Sequence, residues 1–221
     1  MSPAERPELV IFDCDGVLVD SERLAVKIEV EVFAELGWQL TPLEVAERFL
    51  GVSDADYVAM IEGEMGRELP EGWLSGVNER LRQAFEEKLE PVAGVEAALT
   101  ALAAAGLECC VASSGRPEKI RHSLALTGLS EHFGDRLFSA VDVGRGKPAP
   151  DLFLHAAAVL GYHPSRCTVV EDSPIGLQAA RAAGMAAVGY DGGLVPRERL
   201  GIGGVSVIAD MAELAPLLLN S

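Results

Sequence analysis

Two aspartates separated by one residue stand where an apolar segment near the start of the chain ends. Residues 10–22 read VIFDCDGVLVDSE, so Asp13 directly follows three apolar residues and Asp15 comes after Cys14. Alternate side chains of a strand share a face, and these two carboxylates would therefore project together unless the chain bends between them. Like charges beside an apolar strand are costly unless a cation or a proton offsets them. The simpler alternative is a polar turn, because Asp and Gly are common turn residues.

Other polar residues follow later strand-like runs or lie in a loop between them. They are Ser113, Ser114 and Gly115 in CCVASSG, Lys147 in GRGKPAPD, and Glu171 and Asp172 in TVVEDS. In open α/β sheets, ligands bind beyond the carboxyl ends of the strands. We therefore expect these residues to converge with the first aspartate pair at one edge of a sheet.

The predicted cluster combines residue types that suit a phosphate and a divalent ion. Its four carboxylates favour a hard, oxygen-binding ion such as Mg²⁺. Ser113 and the N–H groups at the start of the following helix can hold phosphate oxygens. Lys147 can neutralise both a carboxylate and a phosphate. Taken singly, the serines and Asp172 could instead cap helices, and Lys147 could be a solvated loop residue.

The elements that must position these residues form two different patterns. From about Glu90 onward, strand-like apolar runs alternate with helical segments, several of which end at Gly. This alternation predicts a parallel sheet covered on both faces, to which the first strand also belongs. Between them, residues 21–90 show helical periodicity throughout. We predict an α/β core formed by residues 1–20 and 91–221, with an all-helical domain at 21–90 inserted after the first strand.

Composition limits the classes of partner. The formal net charge of −16 disfavours nucleic acid and anionic membranes, which need a basic surface. The sequence contains no uninterrupted apolar stretch of about 18 residues and no apolar signal-peptide core, so we expect a cytoplasmic protein. The four cysteines lack C-x-x-C spacing and lie in apolar runs, which favours reduced, buried thiols.

Four motifs together resemble those of a known family. DCDGVLVDSE, VASSG, GKPAPD and VVEDSPIG are similar, in order and spacing, to the four successive motifs of the haloacid dehalogenase superfamily. They most resemble the branch with an inserted helical cap, which contains sugar-phosphate phosphatases and β-phosphoglucomutase. The resemblance implies a Rossmann-like core with strand order 5-4-1-2-3 and a cap that opens and closes over the site.

The resemblance also implies a role for each matching residue. Asp13 would be the nucleophile that forms an aspartyl-phosphate, and Asp15 would act first as general acid and then as general base. Ser113 would bind the transferring phosphoryl group, and Lys147 would steady that group and the nucleophile. The implied Mg²⁺ ligands are Asp13, the backbone carbonyl of Asp15, Asp172, and Glu171 either directly or through water. None of the four histidines lies in these motifs.

The predicted activity is Mg²⁺-dependent hydrolysis of a small phosphorylated metabolite, either a sugar phosphate or a sugar-acid phosphate. The predicted state is a monomer or weak homodimer. Candidate substrate-binding residues are Ser114 and Gly115 in the core, and Arg48, Arg80 and Arg82 in the cap. The alternative for these arginines is pairing with the many cap glutamates on a solvated face.

Three other activities are possible for a chain with these motifs. A dehalogenase does not need an acid two residues after the nucleophile, so Asp15 favours phosphoryl transfer. A phosphoglucomutase-like phosphotransferase is disfavoured because Leu50 and Asp54 stand where that enzyme carries basic residues, and Ala25 stands where it has a cap histidine. A catalytically silent binding protein is disfavoured by the intact motif set.

Overall fold

The computed structural model describes residues 6–49 and 54–220. Its strands are β1 (Leu9–Phe12), β2 (Glu108–Ser113), β3 (Leu137–Ser139), β4 (Cys167–Glu171), β5 (Ala186–Tyr190) and β6 (Ser206–Ile208). Its helices are α1 (Ser21–Glu35), α2 (Pro42–Phe49), α3 (Asp54–Met65), α4 (Trp73–Lys88), α5 (Val95–Ala104), α6 (Pro117–Leu126), α7 (Ser130–Phe133), α8 (Asp151–Leu160), α9 (Pro174–Ala182), α10 (Arg197–Leu200) and α11 (Leu214–Leu219). Short 3-10 turns occupy Ala140–Asp142, Pro164–Arg166 and Met211–Glu213.

The six strands form one parallel sheet in the order β3-β2-β1-β4-β5-β6. Read from the opposite edge, this order is 6-5-4-1-2-3. The predicted α/β fold with a Rossmann-like parallel core is confirmed, and β6 is an additional edge strand beyond the five in the predicted order. The C-terminal helical pattern is divided in the structure, because the turn Met211–Glu213 precedes α11.

The central strand β1 is buried on both faces. All four of its residues are fully inaccessible to solvent. Leu9 and Ile11 belong to the core cluster that also contains residues of α8 and α9. Phe12 contacts Phe133 of α7 edge to face, with ring centroids 6.2 Å apart. Burial on both faces explains why β1 reads as a continuous apolar run, as strands of parallel sheets commonly do.

The register of the sheet brings three strand ends to one edge. Phe12 of β1 lies opposite Val111 of β2 and Val170 of β4. The residues that follow in each strand therefore reach the same edge, and they include Asp13, Ser113 and Glu171. This edge is the one at which α/β proteins bind ligands.

The chain divides into two compact units. One comprises the described residues up to Asp20 and from Glu90 onward, and the other comprises Ser21–Leu89. The second unit is helical in all its described elements, α1 to α4. The β-branched run VKIEVEV lies inside α1, as its helical periodicity predicted. None of the described helices is both long and apolar enough to cross a membrane.

Buried side chains explain how each unit is held together. The helical unit has an aromatic cluster in which Phe33 packs against Trp38, Phe49 and Tyr57, and Tyr57 stacks on Trp73.

In the α/β unit, the four cysteines are buried free thiols, as predicted. Burial keeps their pKa values above the ordinary thiol range, so they are poor nucleophiles and metal ligands.

Candidate active site

The chain turns immediately after β1, and the turn separates Asp13 from Asp15. The Asp13 N–H donates to the Val170 carbonyl oxygen at 3.0 Å, which extends the sheet by one residue. Gly16 then adopts a φ of 78°, a left-handed conformation that suits glycine, and its N–H donates to the Val19 carbonyl. As a result, Asp13 is buried, whereas the Asp15 side chain retains 23% of its exposure. The two carboxylates contact different lysines.

Lys147 joins Asp13 to Glu171. Its Nζ lies 2.5 Å from Asp13 Oδ1 and 2.9 Å from Glu171 Oε1, and its side chain is only 6% exposed. The ammonium also lies 5.1 Å from the centroid of the Phe153 ring. Burial alone lowers the pKa of Lys147, but the charges of Asp13 and Glu171 outweigh it and raise that pKa above its ordinary value. Lys147 is therefore a permanent cation in the cluster.

Glu171 is fixed by the helix that follows it. Its Oε2 accepts hydrogen bonds from the N–H and Oγ of Ser173, at 2.8 and 2.9 Å. Ser173 caps α9, because its Oγ accepts from the Gly176 N–H at 3.0 Å. A Cβ on Gly176 would lie 2.0 Å from Glu171 Oε1. Glycine at position 176 therefore leaves the space that the Glu171 carboxylate occupies.

Three buried carboxylates form a possible metal site. One oxygen from each of Asp13, Glu171 and Asp172 lies within 4.8 Å of the others. Burial raises the pKa of Asp13 to about 7, with Glu171 adding to this shift and Lys147 opposing it. The three acidic groups outnumber the single ammonium, and all their donor atoms are oxygens. This donor set fits a hard divalent cation, which would offset the excess negative charge.

Ser113 is the last residue of β2, the strand that pairs with β1. Ser113 is 1% exposed, and its Oγ accepts a hydrogen bond from the Gly115 N–H at 3.0 Å. The Gly115 carbonyl in turn accepts from Ser139 Oγ at 2.6 Å, which ties the loop to the end of β3. Because Ser113 accepts in this contact, its hydroxyl hydrogen can donate to a ligand oxygen. The neighbouring Ser114 side chain is exposed.

Lys119 is a residue that the sequence interpretation did not single out. Its Nζ donates to both carboxylate oxygens of Asp15, at 2.9 and 2.8 Å. It lies in the first turn of α6, a few residues after Ser113. Its proximity to that motif was a usable signal, because a lysine in the first turn after a strand end can reach the same edge of the sheet.

The three cap arginines each pair with a glutamate of the helical unit. Arg80 makes two hydrogen bonds of 2.8 Å to Glu35, and Arg82 makes two to Glu79. Arg48 contacts Glu64 at 3.1 Å and lies 4.7 Å from the centroid of the Trp38 ring. The alternative interpretation, pairing with cap glutamates, describes these contacts, and a substrate-binding role for the arginines stays a prediction. Leu50 lies outside the described residues.

The chain forms a parallel sheet, and a helical unit is inserted in the sequence between its first and second strands. This arrangement places the chain in the class of Rossmann-like α/β enzymes. The chain belongs to the haloacid dehalogenase-like hydrolase family, whose profile matches residues 10–190. The family resemblance stated from the four motifs is thus confirmed.

Individual relatives extend over most of the chain. It is 37% identical to 6-phosphogluconate phosphatase of Escherichia coli over 181 residues, covering 81% of this chain and 80% of the relative. It is 32% identical to fructose-1-phosphate phosphatase YqaB of the same species, covering 83% and 96%. A crystal structure of a family hydrolase from Deinococcus radiodurans, with bound phosphate and sodium, has a TM-score of 0.87 at 32% identity and covers 99% and 97%.

Proposed function

We propose that this protein is a Mg²⁺-dependent phosphatase that hydrolyses a small phosphorylated metabolite through an aspartyl-phosphate at Asp13. The observation that carries the proposal is the buried cluster at the end of β1, in which one ammonium contacts Asp13 and Glu171 beside Asp172. The names of the relatives support a phosphatase of sugar phosphates or sugar-acid phosphates, since both substrates they name are of these kinds.

In the first half-reaction, Asp13 attacks the phosphorus atom. A bond forms between an Asp13 carboxylate oxygen and phosphorus, the bond to the leaving oxygen breaks, and Asp15 gives that oxygen a proton. Ser113 donates a hydrogen bond to the phosphoryl group. The Lys147 ammonium, fixed 2.5 Å from Asp13, offsets charge on both the nucleophile and the phosphoryl oxygens.

In the second half-reaction, water attacks the phosphorus of the aspartyl-phosphate. Asp15 accepts a proton from that water, the new phosphorus–oxygen bond forms, and the bond to Asp13 breaks. Phosphate leaves, and both aspartates return to their starting states. General acid–base help of this kind contributes about 10²–10⁴ in rate.

Asp13, Asp172, the Asp15 backbone carbonyl and Glu171 are the residues that would hold Mg²⁺. When bound, the ion would shield the negative charges of the nucleophile and the phosphate from each other. Lys147 and the ion have separate roles in this proposal. Lys147 contacts Asp13 Oδ1 and Glu171 Oε1, and the ion would be bound by the oxygens of the proposed ligands.

We also propose that the helical unit recognises the non-reacting part of the substrate and acts as a lid. The two chain segments that lead to it are paired with each other. Val19 and Pro91 form an antiparallel bridge, and the Asp20 N–H donates to the Glu90 carbonyl at 2.9 Å. We take Ser21 and Leu89, the first residues beyond this pairing, as the hinges of the proposed lid.

The test of the catalytic proposal is phosphate release from a panel of phosphorylated metabolites and from p-nitrophenyl phosphate, with Mg²⁺ present. The wild-type protein should hydrolyse at least one sugar phosphate, Asp13→Asn should abolish turnover, and Asp15→Asn should lower the rate by about 10²–10⁴. Absence of hydrolysis across the panel, or phosphate trapped on a side chain other than Asp13, would contradict the proposal.

The lid proposal has its own test. Arg48→Ala, Arg80→Ala and Arg82→Ala should lower kcat/KM for the metabolite more than for p-nitrophenyl phosphate, which offers the helical unit little to hold. Equal losses on both substrates would show that the arginines act only in their ion pairs with glutamates.

A further inference from the structure

Lys119 and Asp15 make a contact that the catalytic roles above do not use. The two residues are 104 positions apart in the chain, and the Lys119 ammonium donates to both oxygens of the Asp15 carboxylate. Asp13 has a different partner, Lys147. The structure thus gives each of the two aspartates its own lysine, one buried and one partly exposed.

The path of the Lys119 side chain places it next to Ser113. A Cβ built on Gly115 would lie 3.5 Å from Lys119 Cδ and 3.4 Å from Ser113 Oγ. The aliphatic part of Lys119 therefore passes over Gly115, and its ammonium reaches Asp15 from the strand end that carries Ser113. Lys119 thus links Asp15 to the strand end whose Ser113 is proposed to bind the phosphoryl group.

Stability alone does not account for this contact. The Lys119 side chain is 46% exposed and that of Asp15 is 23% exposed. Ion pairs with this exposure contribute about 0–1 kcal/mol to folding. Contact with both oxygens has a geometric consequence instead, because it fixes the plane of the ionised Asp15 carboxylate. When one oxygen takes up the proton, the ammonium can keep its hydrogen bond to the other oxygen.

We infer that Lys119 is a positioning residue for the proposed hydrolysis, which holds the Asp15 carboxyl group in the orientation needed for proton transfer. The inference rests on the proposed function. It adds a residue outside the four motifs, and it assigns Lys119 an effect that passes through Asp15 rather than through the substrate.

Two aryl phosphates of similar size make the test independent of the natural substrate. Phenol has a pKa of about 10, like tyrosine, and its departure from phosphate is aided by a proton. p-Nitrophenol is more acidic and leaves without that help. Lys119→Met should therefore lower kcat/KM for phenyl phosphate by about 10- to 100-fold, which is part of the 10²–10⁴ that general acid–base catalysis contributes. The loss for p-nitrophenyl phosphate should be much smaller, and Lys119→Arg should restore part of the phenyl phosphate activity.

Arg121→Met is the matched control, because Arg121 is an exposed cation two residues further along α6. It should leave both kcat/KM values unchanged. Lys119→Gln provides a second neutral variant should Lys119→Met alter the melting temperature. Equal losses on both substrates in the two neutral variants would overturn the inference.

A double-mutant cycle with Asp15→Asn separates the two routes by which Lys119 could act. If Lys119 acts through Asp15, Lys119→Met should have almost no further effect in the Asp15→Asn background. Additive losses would mean that Lys119 contacts the substrate directly, and the inference would be wrong. A wild-type protein inactive on both aryl phosphates and on the metabolite panel would instead refute the proposed function itself.

Discussion

The Lys147 ammonium lies 2.5 Å from the Asp13 carboxylate, although 134 residues separate them in the chain. The ion pair is almost completely buried and is completed by Glu171. Burying one positive group among three carboxylates leaves an excess of negative charge, which disfavours the folded state unless a further cation binds. We therefore expect the proposed reactivity of Asp13 and the proposed metal affinity to have a common electrostatic origin at this sheet edge.

Replacing Lys147 by Met should make the fold depend on metal. The change leaves the buried carboxylates of Asp13 and Glu171 without their ammonium, and breaking a buried pair costs about 3–5 kcal/mol. The melting temperature should therefore fall sharply in EDTA and recover in part with Mg²⁺, while hydrolysis is lost in both. Lys88→Met, on an exposed residue of α4, is the control and should change neither quantity. An equal fall with and without Mg²⁺ would contradict the common origin proposed for the two properties.

Metal removal should abolish hydrolysis in the wild-type protein. The proposed ligands are all oxygens, so Mn²⁺ or Co²⁺ should restore part of the activity, whereas Ca²⁺ should bind but support little turnover because its coordination is looser. Binding to the folded state alone should also raise the melting temperature. Asp172→Asn should reduce that Mg²⁺-induced rise. Full activity after exhaustive chelation would disprove the metal assignment.

The sequence predicted the sheet and the positions of its polar strand ends well, because both depend on local patterns. Apolar runs ending in Asp13, Ser113 and Glu171 identify strands, and parallel pairing brings their ends to one edge. The family resemblance assigned Lys147 to Asp13, and the two are in contact, but the sequence did not indicate that Lys119 contacts Asp15. That contact depends on the turn after β1 and on the path of the Lys119 side chain, neither of which leaves a periodic signal.

In the helical unit, the sequence predicted the helices but not the contacts between them. Its helices followed from periodicity, but the partners of Arg48, Arg80 and Arg82 depend on which helix faces cross. The pairing of Arg80 with Glu35 joins residues 45 positions apart, on α4 and α1. No pattern within either helix specifies that contact, so the sequence left two interpretations of these arginines open.

Gly176→Ala should reduce activity although the residue makes no contact with the proposed substrate. A Cβ at this position would lie 2.0 Å from Glu171 Oε1, so the Glu171 carboxylate must move away from Lys147 and the metal site. Hydrolysis should fall and the Mg²⁺ concentration needed for half-maximal activity should rise.

Gly76→Ala is the matched control, since Gly76 also lies in the first turn of a helix and has open space around its Cα. It should leave activity unchanged and stabilise the fold by about 0.5–1 kcal/mol. Unchanged Mg²⁺ dependence in Gly176→Ala would show that the position of Glu171 does not affect the metal site.

Burial raises the pKa of Glu29 in α1 from 4.5 to about 7. A carboxyl group with a raised pKa holds its proton more tightly in the folded state than in the unfolded state. Its stabilising contribution is therefore complete below about pH 4.5 and is lost as the pH rises through about 7. Each pKa unit corresponds to about 1.4 kcal/mol, which sets an upper bound of about 3 kcal/mol that partial exposure reduces.

Glu29→Gln removes this titration, because the amide stays neutral throughout. Relative to the wild-type protein, the variant should have a higher melting temperature at pH 8, and the difference should shrink as the pH falls toward 5. Burial, and to a smaller extent the charge of Glu29, raises the pKa of the Tyr57 hydroxyl, so Tyr57 stays neutral over the same pH range and does not contribute to the difference. Glu31→Gln, on an exposed residue of the same helix, should give a difference that does not vary in this way. Thermal denaturation of the three proteins between pH 5 and 8 is the measurement, and a Glu29→Gln difference that is constant across this range would show that Glu29 is ionised in the folded protein throughout it.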